Sequence, residues 1–275
     1  MAKKIVSDLN VKGKKVLIRV DFNVPMKDGK VAHDTRIKAA LPTIQYVIEN
    51  GGRAIVFSHL GRVKSAEDIK KNDITPVAKR FEELIGKPVK FVNATRGAEL
   101  EAAAAALKDG EILMFANTRN EDFDVESGKE VKLESKNNAE LGAYWASLGD
   151  IFINDAFGTC HRAHASNVGI ASHLPNGVGF LVEKELNAFD PVLNNPAHPF
   201  TVIMGGAKIG KGAVVSHCIV AENVEIGAGA EIGLMPKKGQ TGGVATIGAN
   251  LRIGAGAIIG PDAMVECDVK EGAKI

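Results

Sequence analysis

The chain has 275 residues, of which 45% are hydrophobic and 24% charged, with a formal net charge of +1. That near-neutral balance gives no reason to expect nucleic acid or an acidic membrane surface as a partner, while the length is ample for a buried core in one or two domains. Cys160, Cys218 and Cys267 lie too far apart for a metal-ligand spacing or a disulfide framework, no apolar leader follows Met1-Ala-Lys-Lys4, and no run approaches the ~20 residues of a membrane span, so a cytoplasmic protein without a metal site is expected.

The first two hundred residues alternate between apolar runs and amphipathic segments. Lys15–Val20 reads as a strand, and the following 27–30 segment, Lys-Asp-Gly-Lys, is a turn signal. Over residues 36–50, Ile37, Ala40, Leu41, Ile44, Val47 and Ile48 recur at helical spacing until Gly51-Gly52 ends the pattern. A strand is expected over Arg53–Phe57. Thr75-Pro76 opens a helix whose inner face carries Val77, Phe81, Leu84 and Ile85. Strands over Val89–Val92, Ile112–Phe115 and 151–153 alternate with helices over 99–107 and 139–148. A further helix over 180–193 and a strand over 199–204 close the series. Continuous apolar strands separated by helices predict an α/β fold with a doubly wound parallel sheet.

In such sheets ligands bind beyond the carboxyl ends of the strands. The residues expected there are Asp21, Asn23, His59, Arg62, Asn117, Arg119, Asn154 and Asp155, joined by Arg36 at a helix start and by Arg162 and His164 in the last loop. Four arginines and two histidines from separate loops predict a positive cup. Guanidinium forks suit a small organic anion bearing phosphate or carboxylate. For His59 and His164, a scaffold role and direct ligation stand as equal alternatives. Cys160 reads as a packing thiol.

These residues sit in recognisable strings. Arg19-Val-Asp-Phe-Asn-Val-Pro25, Asp34-Thr-Arg36, Ser58-His-Leu-Gly-Arg62 and Asn154-Asp-Ala-Phe-Gly-Thr-Cys-His-Arg-Ala-His-Ala-Ser166 resemble the lobe of phosphoglycerate kinase that holds 3-phosphoglycerate. The likeness covers roughly residues 1–208. It implies a Rossmann-like lobe in which Asp21, Asn23, Arg36, His59, Arg62, Arg119 and Arg162 bind 3-phosphoglycerate or 1,3-bisphosphoglycerate. Arg36 would also neutralise charge on the transferred phosphoryl group. The family implies ATP/ADP with magnesium as well, and Lys208 matches its first phosphate-contacting lysine. Two departures stand out. Ala116-Asn-Thr-Arg-Asn120 replaces the usual Glu-Asn-x-Arg-Phe, and Gly212 stands where a second lysine belongs, Lys211 being one position early. Gly205-x-x-x-x-Gly210-Lys211 imitates a P-loop but is followed by Gly212, which lacks the hydroxyl that magnesium needs.

From Ile209 onward the helical pattern stops. Aliphatic residues followed by glycine or other small residues recur at a short period, as in Ile226-Gly, Ile232-Gly, Ile247-Gly, Ile253-Gly and Ile259-Gly. This pattern predicts a short left-handed parallel β-helix of hexapeptide type, of about three and a half coils, with residues 235–244 looped out. The stretch Val214-Val-Ser-His-Cys-Ile-Val-Ala-Glu-Asn-Val-Glu-Ile226 resembles the hexapeptide tail of glucose-1-phosphate adenylyltransferase, which implies a role in oligomerisation. His217 reads as a surface or packing residue rather than an acyltransferase base.

The expected division is 1–178 for the substrate-binding α/β domain, 179–208 for a linking helix and the first strand of a truncated nucleotide lobe, and 209–275 for the β-helix. Three readings follow. The chain is a glycolytic phosphotransferase with a carboxyl acceptor, with weak or no turnover because the nucleotide lobe is replaced; or a triose-phosphate-binding and oligomerising module; or a chimera.

Overall fold

The computed structural model describes residues 3–194, 201–203, 205–233 and 243–275. They fall into two compact units, Met1–Asn187 and Ala188–Ile275.

In the first unit Lys15–Val20 (β1) is followed by a small hairpin of Met26–Lys27 (β2) and Lys30–Val31 (β3), turning at the expected lysine–glycine segment. Thr35–Glu49 (α1), Arg53–Phe57 (β4), Ala66–Lys71 (α2), Thr75–Ile85 (α3), Val89–Val92 (β5), Ala98–Ala105 (α4) and Ile112–Phe115 (β6) come next. A second hairpin, Phe123–Asp124 (β7) with Lys129–Glu130 (β8), leads to Ala139–Ser147 (α5), Ile151–Asp155 (β9), Asn176–Val178 (β10) and Phe180–Asn194 (α6), whose first part, to Asn187, falls in this unit. The predicted series of strands and helices is therefore present, with boundaries moved by a few residues. The β7–β8 hairpin, α2 and β10 are additions, each too short to leave a periodic signature.

Six strands form one parallel sheet in the order β10-β9-β1-β4-β6-β5. Alternate residues feed two cores. Val16, Ile18, Val56 and Met114 meet Ile37, Ile44, Val77 and Phe81 of α1 and α3. Leu17, Ile55, Phe57, Leu113, Phe115 and Phe152 meet Leu100 of α4 and Leu141 and Trp145 of α5. Burial on both faces explains why these strands read as continuous apolar runs. The chain moves from β1 to β4 on one side and returns to β9 on the other. The crevice at this reversal lies at the carboxyl ends of the central strands.

The junction with α6 is fixed by Asp155, the last residue of β9. Its Oδ1 accepts from the backbone N–H groups of Leu181 and Val182 at 3.0 and 3.3 Å. A Cβ on Gly179 would stand 2.3 Å from that carboxylate, so glycine is required at the turn before the helix. Burial pushes the Asp155 carboxyl above its ordinary range against these hydrogen bonds and that of Thr43.

The second unit contains, among the described residues, ten short strands: Thr201–Ile203 (β11), Lys208–Ile209 (β12), Val214–Val215 (β13), Cys218–Val220 (β14), Glu225–Ile226 (β15), Glu231–Ile232 (β16), Ala245–Ile247 (β17), Arg252–Ile253 (β18), Ile258–Ile259 (β19) and Met264–Val265 (β20). They build three parallel ladders: β11-β14-β17-β20, β12-β15-β18 and β13-β16-β19. The strands thus visit the ladders in a repeating cyclic order. Val220, Ile226, Ile232, Ile247, Ile253, Ile259 and Val265 form a shared apolar core. Glycine keeps the coils close, since a Cβ on Gly227 or Gly254 would fall within 2.4 Å or 2.3 Å of the next coil's backbone nitrogen. Asn223 and Asn250 take the left-handed conformation at φ 58° and 61°, and Asn223 Nδ2 donates to Asn250 Oδ1 at 3.2 Å.

The strand expected over 199–204 is seen at Thr201–Ile203, where it pairs in parallel with Cys218–Val220 inside the ladders. Lys208 lies on β12 and donates from Nζ to Glu225 Oε1 at 2.8 Å. The loop expected over 235–244 falls almost wholly outside the described residues.

Candidate functional site

Asp21, Asn23, Arg36, His59, Arg62, Arg119 and Arg162 all line one cleft of about 400 Å³, together with Gly61, Gly158 and Thr159. Asp21 and Asn23 follow β1, His59 and Arg62 follow β4, Arg119 follows β6, and Arg162 follows β9. Arg36 enters from the first turn of α1. The fold thus brings together side chains that span residues 21 to 162 in the sequence.

Backbone hydrogen bonds join the loops. Asn23 Oδ1 accepts from Gly61 N–H at 2.9 Å, tying the β1 loop to the β4 loop. Asn117 accepts from Leu60 N–H at 3.0 Å and from Arg119 N–H at 3.1 Å through Oδ1, and its Nδ2 donates to the Leu60 carbonyl at 2.8 Å. Asn167 Nδ2 donates to the carbonyls of Thr159 and Arg162 at 3.2 and 2.9 Å, and Asn167 Oδ1 accepts from His164 N–H, which shapes the loop carrying Arg162.

Four of the expected strand-end residues do not line the cleft. Asn117 is a buried brace, and Asp155 caps α6. Asn154 faces a neighbouring cavity together with Cys160. Cys160 is exposed as a residue, but its sulfur turns in to reach the Ala156 carbonyl at 3.5 Å, and the partial burial of the thiol raises its pKa. His164 is 5% exposed and lies 3.3 Å from Glu134 Oε1 below the cleft. The expected pair of histidines is thus reduced to His59, because the chain after Arg162 turns inward.

His59 is itself uncharged. Burial, reinforced by the charges of Arg19 and Arg119, lowers its pKa to about 2. Arg19 Nη2 stands 2.9 Å from His59 Nδ1. A guanidinium can only donate, so Nδ1 accepts and the neutral ring carries its proton on Nε2. The positive character of the cleft comes from arginine alone. Arg36 Nη1 donates to Asp21 Oδ2 at 2.9 Å, and that carboxylate offsets part of the charge.

Under the cleft lies a layer of ionised groups that the sequence reading did not assign. Arg19 is 1% exposed and Glu134 0% exposed. Arg19 Nε donates to Ser166 Oγ at 3.1 Å, and Ser166 Oγ–H donates to Glu134 Oε1 at 2.5 Å. Arg119 Nη1 donates to Asp122 Oδ2 at 2.9 Å. Burial pushes Glu134 upward, yet the hydrogen bond of His164 and the charges of Arg119 and Arg19 outweigh it and hold the carboxyl at about 2. Arg19 and Ser166 stood inside the strings noted above. Glu134 and Asp122 come from an irregular stretch without periodicity, so no sequence signal marked them.

A sequence model of phosphoglycerate kinase matches residues 6–228. The chain belongs to the phosphoglycerate kinase family. It is 56% identical over 252 residues to the phosphoglycerate kinase of Listeria welshimeri, and 56% identical over 250 residues to that of Enterococcus faecalis. Those alignments cover 91% and 90% of this chain and 62% of each relative, so the chain spans less than two thirds of their length. Phosphoglycerate kinase from Coxiella burnetii superposes with a TM-score of 0.63 at 32% identity, over 80% of this chain and 54% of that one. The enzyme from Pyrococcus horikoshii gives 0.62 at 34% identity, over 74% and 49%. The family match extends past residue 208, where the likeness was expected to end, into the ladders of the second unit.

Proposed function

We propose that the cleft of the first unit binds 3-phosphoglycerate, or 1,3-bisphosphoglycerate, in the manner of the acceptor site of phosphoglycerate kinase. What carries the reading is the convergence of seven side chains, four of them guanidinium groups, on one cleft at the carboxyl ends of a parallel sheet. Arg62, Arg119 and Arg162 would grip phosphate and carboxylate oxygens, Asp21 and Asn23 the hydroxyl-bearing carbon, and His59 would offer a neutral Nε2–H. Arg36 would leave Asp21 to face the reacting carboxylate and neutralise charge on the group in transfer. The acceptor needs no general base, being ionised already at neutral pH.

The described residues fit ATP with magnesium poorly. Lys208 is engaged by Glu225, and Gly212 follows at φ 73° where the family resemblance asks for a second lysine. Among the described residues no group of three or more His, Cys, Asp or Glu side chains is gathered to hold a metal. No step through the nucleotide is therefore derived. With no such donor-aligning site among the described residues, an effective-molarity contribution of roughly 7–11 kcal/mol goes unsupported there, and we infer acceptor binding with weak or no turnover. The three ladders favour reading the second unit as a left-handed hexapeptide β-helix serving assembly, and the whole as a triose-phosphate-binding module of family descent.

Calorimetric titration with 3-phosphoglycerate tests the cleft. Heat of binding is expected from the native chain, and its loss in the Arg36→Ala, Arg162→Ala double variant. A coupled assay with ATP, magnesium and 3-phosphoglycerate tests the second half of the reading, which falls if turnover matches that of a full-length family enzyme.

A further inference from the structure

The ionised layer beneath the cleft has no task in the reading above, yet it touches two of the cleft's walls. Glu134 approaches from the segment between β8 and α5. Its Oε2 lies 3.3 Å from Arg119 Nε, close enough for charge attraction but not aligned as a hydrogen bond. Its Oε1 accepts from Ser166, which accepts in turn from Arg19, and Arg19 donates to His59. One buried carboxylate thus reaches Arg119 directly and His59 through two intermediaries. Asp122 fixes Nη1 of Arg119 from the other side, leaving Nη2 without a partner among the described residues.

We propose that Glu134 is the positioning residue of this cleft, holding Arg119 in its anion-facing pose and, through Ser166 and Arg19, holding the His59 ring in the tautomer that presents Nε2–H. The physical need is plain. Arg19 and Arg119 bring two positive charges into a water-poor layer, where like charges repel strongly and an unpaired guanidinium is costly. Only a carboxylate between them satisfies both. A neutral amide of the same size keeps the shape but turns an N–H group either towards the Arg119 guanidinium or towards the Ser166 hydroxyl and His164, where the carboxylate accepts. Naming the anion rests on the acceptor reading above; the positioning role does not.

The test is a double-mutant cycle on the full chain, read by the Kd for 3-phosphoglycerate. Glu134→Gln is expected to weaken binding about tenfold, the scale of one charge-assisted hydrogen bond. In an Arg119→Gln background the same change should cost only the His59 share, about threefold, because one of the two groups it positions is gone. A Kd within about twofold of the native value, or an equal loss in both backgrounds, overturns the proposal. A crystal structure of the Glu134→Gln variant gives an answer without ligand: Arg119 should leave Asp122 or His59 should leave Arg19, and both contacts intact would overturn the role. If the native chain binds no 3-phosphoglycerate, the acceptor reading fails and this crystallographic arm alone decides. Should Glu134→Gln not fold, Ser166→Ala removes only the relay to Arg19. It is expected to weaken binding about threefold, and an unchanged Kd overturns the His59 branch.

Discussion

The two units place their charges in opposite positions. The first buries Arg19, Arg119, Asp122 and Glu134 under its cleft, together with His59 and His164. In the second, among the described residues, Ser216 is the one polar side chain with the apolar interior, and the ion pairs Lys208–Glu225 and Arg252–Glu225 run along the outside of a ladder. Taking ions out of water is expensive unless every partner is in place. The second unit avoids that cost by building its interior from Val, Ile, Ala and one cysteine. The first accepts it directly beneath the arginine-lined cleft. Where a domain keeps buried ions is therefore informative about where it works.

The contrast can be broken in order of effect. Arg19→Ala should cost about 3–5 kcal/mol, because it leaves Glu134 and Ser166 facing an empty position in a closed layer. Urea denaturation measures this, and a loss below about 1 kcal/mol would show that the layer is not a coupled unit. In the second unit the comparable damage is purely a matter of volume: Ile259→Ala, at 0% exposure, should cost about 2–5 kcal/mol by cavity formation. An unchanged unfolding midpoint would mean that the ladders do not share one packed core.

A smaller effect separates the units by pH. His59 has a pKa of about 2 in the folded chain against 6.5 for the free side chain, so the unfolded chain gains a proton first as pH falls. Its contribution is complete above about pH 6.5, and stability then drops by up to about 1.4 kcal/mol per pH unit on acidification. Glu134, at about 2 against 4.5, is likewise fully stabilising above about pH 4.5 and adds its own loss below that. His59→Gln should flatten the slope between pH 6.5 and 4.5, and parallel curves for variant and native chain would refute the assignment. The least effect is expected from Glu225→Gln. Its carboxyl is held below the ordinary range by the hydrogen bond and charge of Lys208 and by Arg252, but it stands in solvent. Thermal melting in 1 M salt should not distinguish this variant from the native chain.

Much of this architecture was legible beforehand, for physical reasons. Buried parallel strands such as Ile112–Phe115 read as apolar runs because both faces are covered, and the cleft-lining residues appear just after them because the strand ends open into the crevice. The aliphatic–glycine recurrence from Ile209 onward likewise reflects inward side chains and tight corners. Three things were not legible. The 120–138 segment has no period, so Glu134 and Asp122 could not be placed beside Arg119. The inward turn of His164 depends on Asn167, whose side chain organises carbonyls several residues away. The pairing of Thr201–Ile203 with Cys218–Val220 depends on register across coils, which a single apolar run does not encode.

Because the His59 ring is locked in its uncharged form, the arginines alone set the grip of the cleft, and arginine does not lose its proton in proteins. In the weakly acidic range the visitor's own ionisation becomes the variable. On the acceptor reading proposed above the guest is a phosphate monoester, which gives up its second proton near pH 6, so affinity should track its dianion fraction. The pocket then acts as a fixed-voltage terminal, and acidification of its surroundings is registered by the guest instead of the host.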